Sequence, residues 1–314
     1  TAIDPYGHEL WRWTFPVNKL NQQTEQLSPL SSRPTYTETE NDLTVKANKR
    51  TFIFSKKDGQ LKGVSVDNRK ISFANGPRFI GARRADRSLD QFYNHDDEKA
   101  KEKDRTYNEF PDAAVFTKLD VKEDGGNLVV TANYKLGNLD KAQWTINPSG
   151  DLALDYTYNF FGVVDLMGIR FDYPEDQVIS KRWLGAGPYR VWQNRIHGTQ
   201  YDVWENDYND PIPGETFTYP EFKGYFGNVS WMNIQTKEGT ISLTNETPDS
   251  YIGVYQPRDG RDRLLYTLPE SGISVLNVIP PVRNKVNSTD LCGPSSQPKW
   301  VNGPQTGRVI FRFM

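Results

Sequence analysis

NLVVTANYKLGNLDKAQWTINPSGDLALDYTYNF, residues 127–160, decides the fold class. Leu128, Val130, Ala132, Tyr134 and Leu136 fall on one side of an extended chain, with Val129, Thr131, Asn133 and Lys135 on the other. Beyond Asn147-Pro148-Ser149-Gly150 the alternation resumes. Leu152, Leu154, Tyr156, Tyr158 and Phe160 stand opposite Asp151, Asp155, Thr157 and Asn159. Successive side chains of a strand point to opposite faces, so an apolar period of two describes a strand with one face buried and one wet. The intervening Asn, Pro, Ser and Gly are the residues that turns select.

Outward from this stretch the pattern repeats. Thr51 to Ser55 and Val309 to Phe313 alternate in the same way, and Lys57-Asp58-Gly59 and Asp124-Gly125-Gly126 carry hairpin signals. Strands punctuated by turns every ~10 residues predict an all-β, antiparallel sandwich with few or no helices. The helical candidate, DDEKAKEKD at residues 96–104, reads better as a solvated loop. No βα alternation appears, so no TIM barrel is expected. Residues 1–40 read as the exit strand of a preceding domain followed by a polar linker, and residues 41–314 as one domain. Long irregular segments near residues 85–111, 195–222 and 280–307 interrupt the strands, and such loops are commonly functional.

Composition narrows the function. Aromatic residues make up 13% of the chain, so the core depends on rings, as in carbohydrate-handling sandwiches. A formal net charge of -2 argues against a nucleic-acid partner, which needs a basic surface. No apolar run approaches the roughly 18 residues needed to span a bilayer, so no membrane partner is expected. Cys292 is the single cysteine, which excludes an internal disulfide and a multi-cysteine metal site. It is compatible with a periplasmic or extracellular location. The tripeptides at Asn228, Asn245 and Asn287 match the glycosylation acceptor pattern but arise readily by chance.

The densest cluster of chemistry-bearing residues is WLGAGPYRVWQNR, residues 183–195. Gly185 and Gly187 permit unusual backbone angles and Pro188 fixes the next one. A shaped loop is expected to display Tyr189, Arg190, Trp192 and Arg195, whose flat rings and planar guanidinium groups suit the apolar faces and hydroxyls of a sugar. The same composition describes a packed corner. Downstream, His197, Trp204 and Glu221 complete the candidate cleft wall. Glu205, Asp207, Asp210, Glu215 and Glu221 form an acidic loop that is either solvated, a carboxylate source for glycoside chemistry, or a weak structural calcium site. No cofactor is expected. Neither a serine nor a cysteine nucleophile is supported, and His8, His95 and His197 are too dispersed for a zinc motif.

These residues resemble the C-terminal small-chain domain of glycoside hydrolase family two β-galactosidases. GHELWRWTFPV at residues 7–17 is similar to the exit strand of the domain that precedes it. Residues 46–87 resemble the first strands and an Arg-rich turn. WLGAGPYRVWQNR resembles the signature Trp-Leu-Gly-x-Gly-Pro-x-Glu-x-Tyr-x-Asp-Arg, and TYPEFKG, residues 218–224, a Pro-Glu-x-x-Gly element. The resemblance implies a galactose-mutarotase-like antiparallel supersandwich. It also implies an accessory role beside a catalytic TIM-barrel domain of the same polypeptide, which holds the catalytic glutamates, and a carbohydrate partner. Gly187, Pro188 and Arg195 keep the signature, whereas Arg190, Trp192 and Asn194 replace its Glu, Tyr and Asp. The acidic Asp-Asn-Asp after the Arg-rich turn is not reproduced around residues 86–90. The tryptophan that the family lends to the active-site rim has Val275 near its place. Two alternatives stay open: an aldose 1-epimerase using His197 with Glu205 or Glu221, and a free-standing carbohydrate-binding module.

Overall fold

The computed structural model describes residues 1–14, 32–84, 107–207, 223–254, 268–282 and 293–314. Within them the alternating runs form antiparallel strands. Leu152–Val164 pairs along its whole length with Lys299–Phe313, so two long strands form the spine of a nine-stranded sheet. On one side of the spine lie Leu139–Ile146, Asn127–Lys135 and Val115–Asp124. On the other lie Gly239–Asn245, Trp231–Thr236, Val178–Gly187 and Gln200–Asp207.

The second sheet has eleven strands. Its main path runs Phe226–Gly227, Tyr251–Val254, Ile273–Val278, Leu166–Asp172, Ala74–Arg84, Leu61–Val66, Arg50–Ser55, Asp42–Ala47 and Thr35–Glu38. The short strands Arg69–Ile71 and Tyr107–Glu109 pair beside that path. Thr35–Glu38 is hydrogen-bonded to Asp42–Ala47, so the sheet begins before residue 41, within the stretch read as linker. Ala2–Ile3 and Glu9–Trp11 form a separate two-stranded ribbon. Residues 15–31 and 96–104, the heart of the expected linker and the helical candidate, lie outside the described residues.

The predicted faces are mostly the observed ones; Val129, expected on the wet side, is buried, and Tyr134 is only partly buried. Leu128, Val130, Ala132, Leu152, Leu154, Tyr156, Tyr158 and Phe160 are all buried between the sheets. Leu136 differs: it takes a positive φ of 59° just past its strand and is exposed. Gly150 closes the Asn147–Gly150 turn, with Gly150 N–H donating to Asn147 O at 2.9 Å.

Rings fill the space where the sheets face each other. Phe73 stacks on Phe171 at 4.8 Å and meets Phe311 and Phe313 at 5.0 and 5.3 Å. Trp144 packs edge-on against Phe171. Burying one such ring contributes about 1.5–3 kcal/mol, with a further ~0.5–1.5 kcal/mol for a favourable ring pair. A second apolar cluster lies against Ile80, Ala82, Leu166 and Leu276. It is roofed by Val191, Trp192, Tyr225, Leu268, Ile279 and Val282, and it fixes the position of the signature segment.

Candidate functional site

Strand Val178–Gly187 delivers the signature segment to one corner of the sandwich. Trp183 is fully buried, packs edge-on against Phe226 at 4.9 Å, and its indole N–H donates to Ala186 O. The Gly187–Pro188 peptide is cis. Neither Gly185 nor Gly187 has a positive φ, contrary to the sequence-based expectation of unusual backbone angles. At Gly187 the reason for glycine is space, because a Cβ there would strike the Trp204 ring.

Beyond Pro188 the segment turns inward. Val191 N–H donates to Tyr225 O and Tyr225 N–H to Val191 O, both at 2.7 Å. Trp192 packs edge-on against Tyr225. Gln193 N–H donates to Pro280 O, and its side chain donates to Gln297 O at 2.7 Å. Asn194 grips Val282 with both ends of its carboxamide. Nδ2 donates to Val282 O at 2.7 Å and Oδ1 accepts from Val282 N–H at 2.8 Å. One turn of chain therefore ties together strand 178–187, the segment at Tyr225 and the segments around residues 280–282 and 294–297.

This geometry corrects part of the expected display. Arg190 and Trp192 are buried, not presented. The Arg190 guanidinium lies over the Phe226 ring at 5.8 Å, and the buried Lys181 ammonium lies 6.0 Å from the same ring. Trp204 is half-buried against Gly187, its indole N–H donating to Gln200 O. Tyr189, Arg195 and His197 do share a rim. Tyr189 OH donates to His197 O at 2.7 Å, and burial raises the Tyr189 phenol while the nearby Arg195 charge opposes that rise. Arg195 and His197 are exposed. The His197 imidazole has no hydrogen-bond or ion-pair partner among the described residues. Glu205 is also exposed and sits 4.0 Å from Arg182. Glu221 lies outside the described residues, as do Asp210, Glu215, Cys292, His95 and the region of residues 86–90. Among the described residues no group of three His, Cys, Asp or Glu side chains is arranged to hold a metal ion. Among the described residues no helix is long and apolar enough to cross a membrane.

A cavity of about 690 Å³ opens beside this corner. Ala186, Val191, Ile196 and Tyr201 form the wall toward the signature segment. Residues 227–230 and 244–251 form the far wall, and Arg12, Trp13 and Thr14 reach over from the N-terminal ribbon. The sequence reading did not single out Trp13, Gln200, Asn228, Asn245 or Asp249 as a site. A signal was present, since Asn228-Val229-Ser230 and Asn245-Glu246-Thr247, noted as chance acceptor tripeptides, are two of its turns.

The fold and the signature corner together define a sandwich of the β-galactosidase small-chain class. The family model described as beta galactosidase small chain matches residues 46–278, and the chain belongs to that family. A solved galactose 1-epimerase from Lactobacillus acidophilus is similar in fold, with a TM-score of 0.50 and 8% identity over 90% of this chain and 99% of that one. A GalM/aldose epimerase homologue from C. elegans aligns with a TM-score of 0.40 and 7% identity, over 89% of this chain and 99% of the other. No curated protein matches by sequence.

Proposed function

We propose that the chain is the accessory sandwich of a β-galactosidase-type glycoside hydrolase. It packs against a catalytic barrel and walls one side of the sugar cleft. The observation that carries this reading is the small-chain family match across residues 46–278. The surface supports it. Phe161 and Trp300 are 72% and 61% exposed, yet they meet edge-on at 5.1 Å across the spine strands. A fixed, solvent-facing aromatic pair suits a domain interface. The rim of Tyr189, Arg195 and His197 is the part of the signature corner that faces outward and is the wall offered to sugar. Arg190, Trp192 and Trp204 hold that wall from behind.

Epimerase chemistry needs an acid and a base poised around a sugar ring. Among the described residues the exposed imidazole of His197 has no carboxylate partner, and Glu205 sits beside Arg182 instead, which favours the accessory reading. Interconversion of galactose anomers, followed by NMR on the isolated chain, is the test. The accessory role requires the uncatalysed rate. A catalysed rate abolished by His197→Ala would replace it with the epimerase reading.

A further inference from the structure

The cavity beside the signature corner carries a more specific assignment than the accessory role requires. We infer that it is a binding site for a neutral saccharide, gripped between Trp13 and the turns at Asn228 and Asp249.

Three observations lead there. First, the walls are fixed before any ligand arrives. Asn245 Nδ2 donates to Val229 O at 3.2 Å and to Ser250 Oγ at 2.9 Å, while its Oδ1 accepts from Thr247 N–H at 3.2 Å. Tyr201 OH and Ser230 Oγ are 2.6 Å apart. Rigid walls spare a ligand the entropy cost of ordering them.

Second, the remaining polar ends match hydroxyls. Gln200, Asn228 and Asp249 line the cavity, and their side chains have no hydrogen-bond partner among the described residues. Asn228 and Asp249 take positive φ values of 48° and 49°, so each sits at a sharp turn on the rim. Together the two amides and the carboxylate supply donors and acceptors, the mixture that a sugar hydroxyl, itself both donor and acceptor, can use.

Third, the charges nearby are already spent on each other. Arg12 pairs with Glu9 at 2.9 Å, and Glu246 pairs with Arg308 at 3.0 Å. Among the described lining residues no unpaired cation is left over for a phosphate or carboxylate ligand. The free polar ends of Gln200, Asn228 and Asp249 favour a ligand that carries hydroxyls over a purely apolar one. Trp13 is 55% exposed and supplies the flat apolar surface against which one face of a sugar ring can rest. At about 690 Å³ the space lies within the range of small-molecule sites.

Calorimetric titration of the chain with galactose, lactose, cellobiose and xylobiose tests this. Saturable binding of at least one of them in the millimolar range is expected. Trp13→Ala and Asp249→Ala should each weaken it about tenfold, the loss expected for one ring contact or one charge-assisted hydrogen bond. Trp13→Phe should retain most of it, which separates stacking from any effect of Trp13→Ala on folding. Absence of saturable heat with all four sugars would overturn the assignment. Binding that is indifferent to both alanine variants would do the same by placing the sugar elsewhere. Neither outcome touches the accessory role, which is read from hydrolysis and anomer interconversion.

Discussion

Gly224 lies so close to the carbonyl of Val191 that no side chain fits between them. The two residues come from separate landmarks, one from the Pro-Glu-x-x-Gly element and the other from the signature segment. The next residue, Tyr225, exchanges both backbone hydrogen bonds with Val191. Gly224→Ala would drive a methyl group into the Val191 carbonyl and part that bridge. Overpacking of this kind costs about 1–3 kcal/mol. Urea denaturation should show a lowered midpoint, whereas an unchanged midpoint would mean that the corner yields freely.

Asn194 is the second tie at this corner. Replacing it with alanine removes both bonds to Val282 and leaves a backbone N–H and C=O to find other partners. The expected cost is about 1–3 kcal/mol. Amide exchange at Val282 should accelerate more than exchange in the spine strands. Uniform acceleration would deny Asn194 its local role.

The ring core should be the least tolerant place in the chain. Phe171→Ala opens a cavity touched by Phe73, Trp144 and Phe311. A loss of about 3–5 kcal/mol is expected. A loss below ~1 kcal/mol would mean that the neighbouring rings collapse into the space.

Acid should weaken one particular cross-strand tie. Arg312 donates to Asp151 through Nε at 2.7 Å and Nη2 at 2.9 Å. Burial pushes the Asp151 carboxyl up, but the Arg312 hydrogen bonds and charge, with help from Asn147 and Arg50, bring it to a net position below its ordinary 3.8. A depressed carboxyl adds stability that is present above pH 3.8 and lost as pH falls through the lower folded value. Asp151→Asn should flatten that part of the acid limb. It should also destabilise the chain at neutral pH, because Arg312 is left poorly compensated. An acid limb identical to that of the parent chain would assign the dependence to other carboxylates.

Phe161 and Trp300 should matter little to the chain by itself. The double replacement with serine is expected to move the melting temperature slightly and to weaken attachment to the proposed catalytic barrel strongly. Equal effects on both would make the pair a structural contact only.

The fold was legible because alternation is local. A strand declares its buried face every second residue, and Leu152 to Phe160 did so without interruption. The spine pairing of that strand with Lys299–Phe313 was not legible, since nothing in either strand specifies a partner so distant in sequence. The signature segment was legible as a landmark but not as geometry. Arg190 and Trp192 are residue types found equally on a sugar wall and in a packed corner, and only tertiary packing, of Trp192 in the cluster with Ile80 and Leu276 and of Arg190 over Phe226, makes them buried. Asn194 differs from the family residue, which drew attention to specificity, yet its side chain is taken up by the Val282 backbone. The cavity escaped the reading because its lining comes from four separated stretches that topology alone brings together.

Hydrolysis of a nitrophenyl β-galactoside by the proposed catalytic barrel, measured without and then with this chain restored, tests the accessory role most directly. That role requires strong hydrolysis with the sandwich present, a marked loss without it, and none from the sandwich alone. Equal hydrolysis in its presence and absence would contradict it.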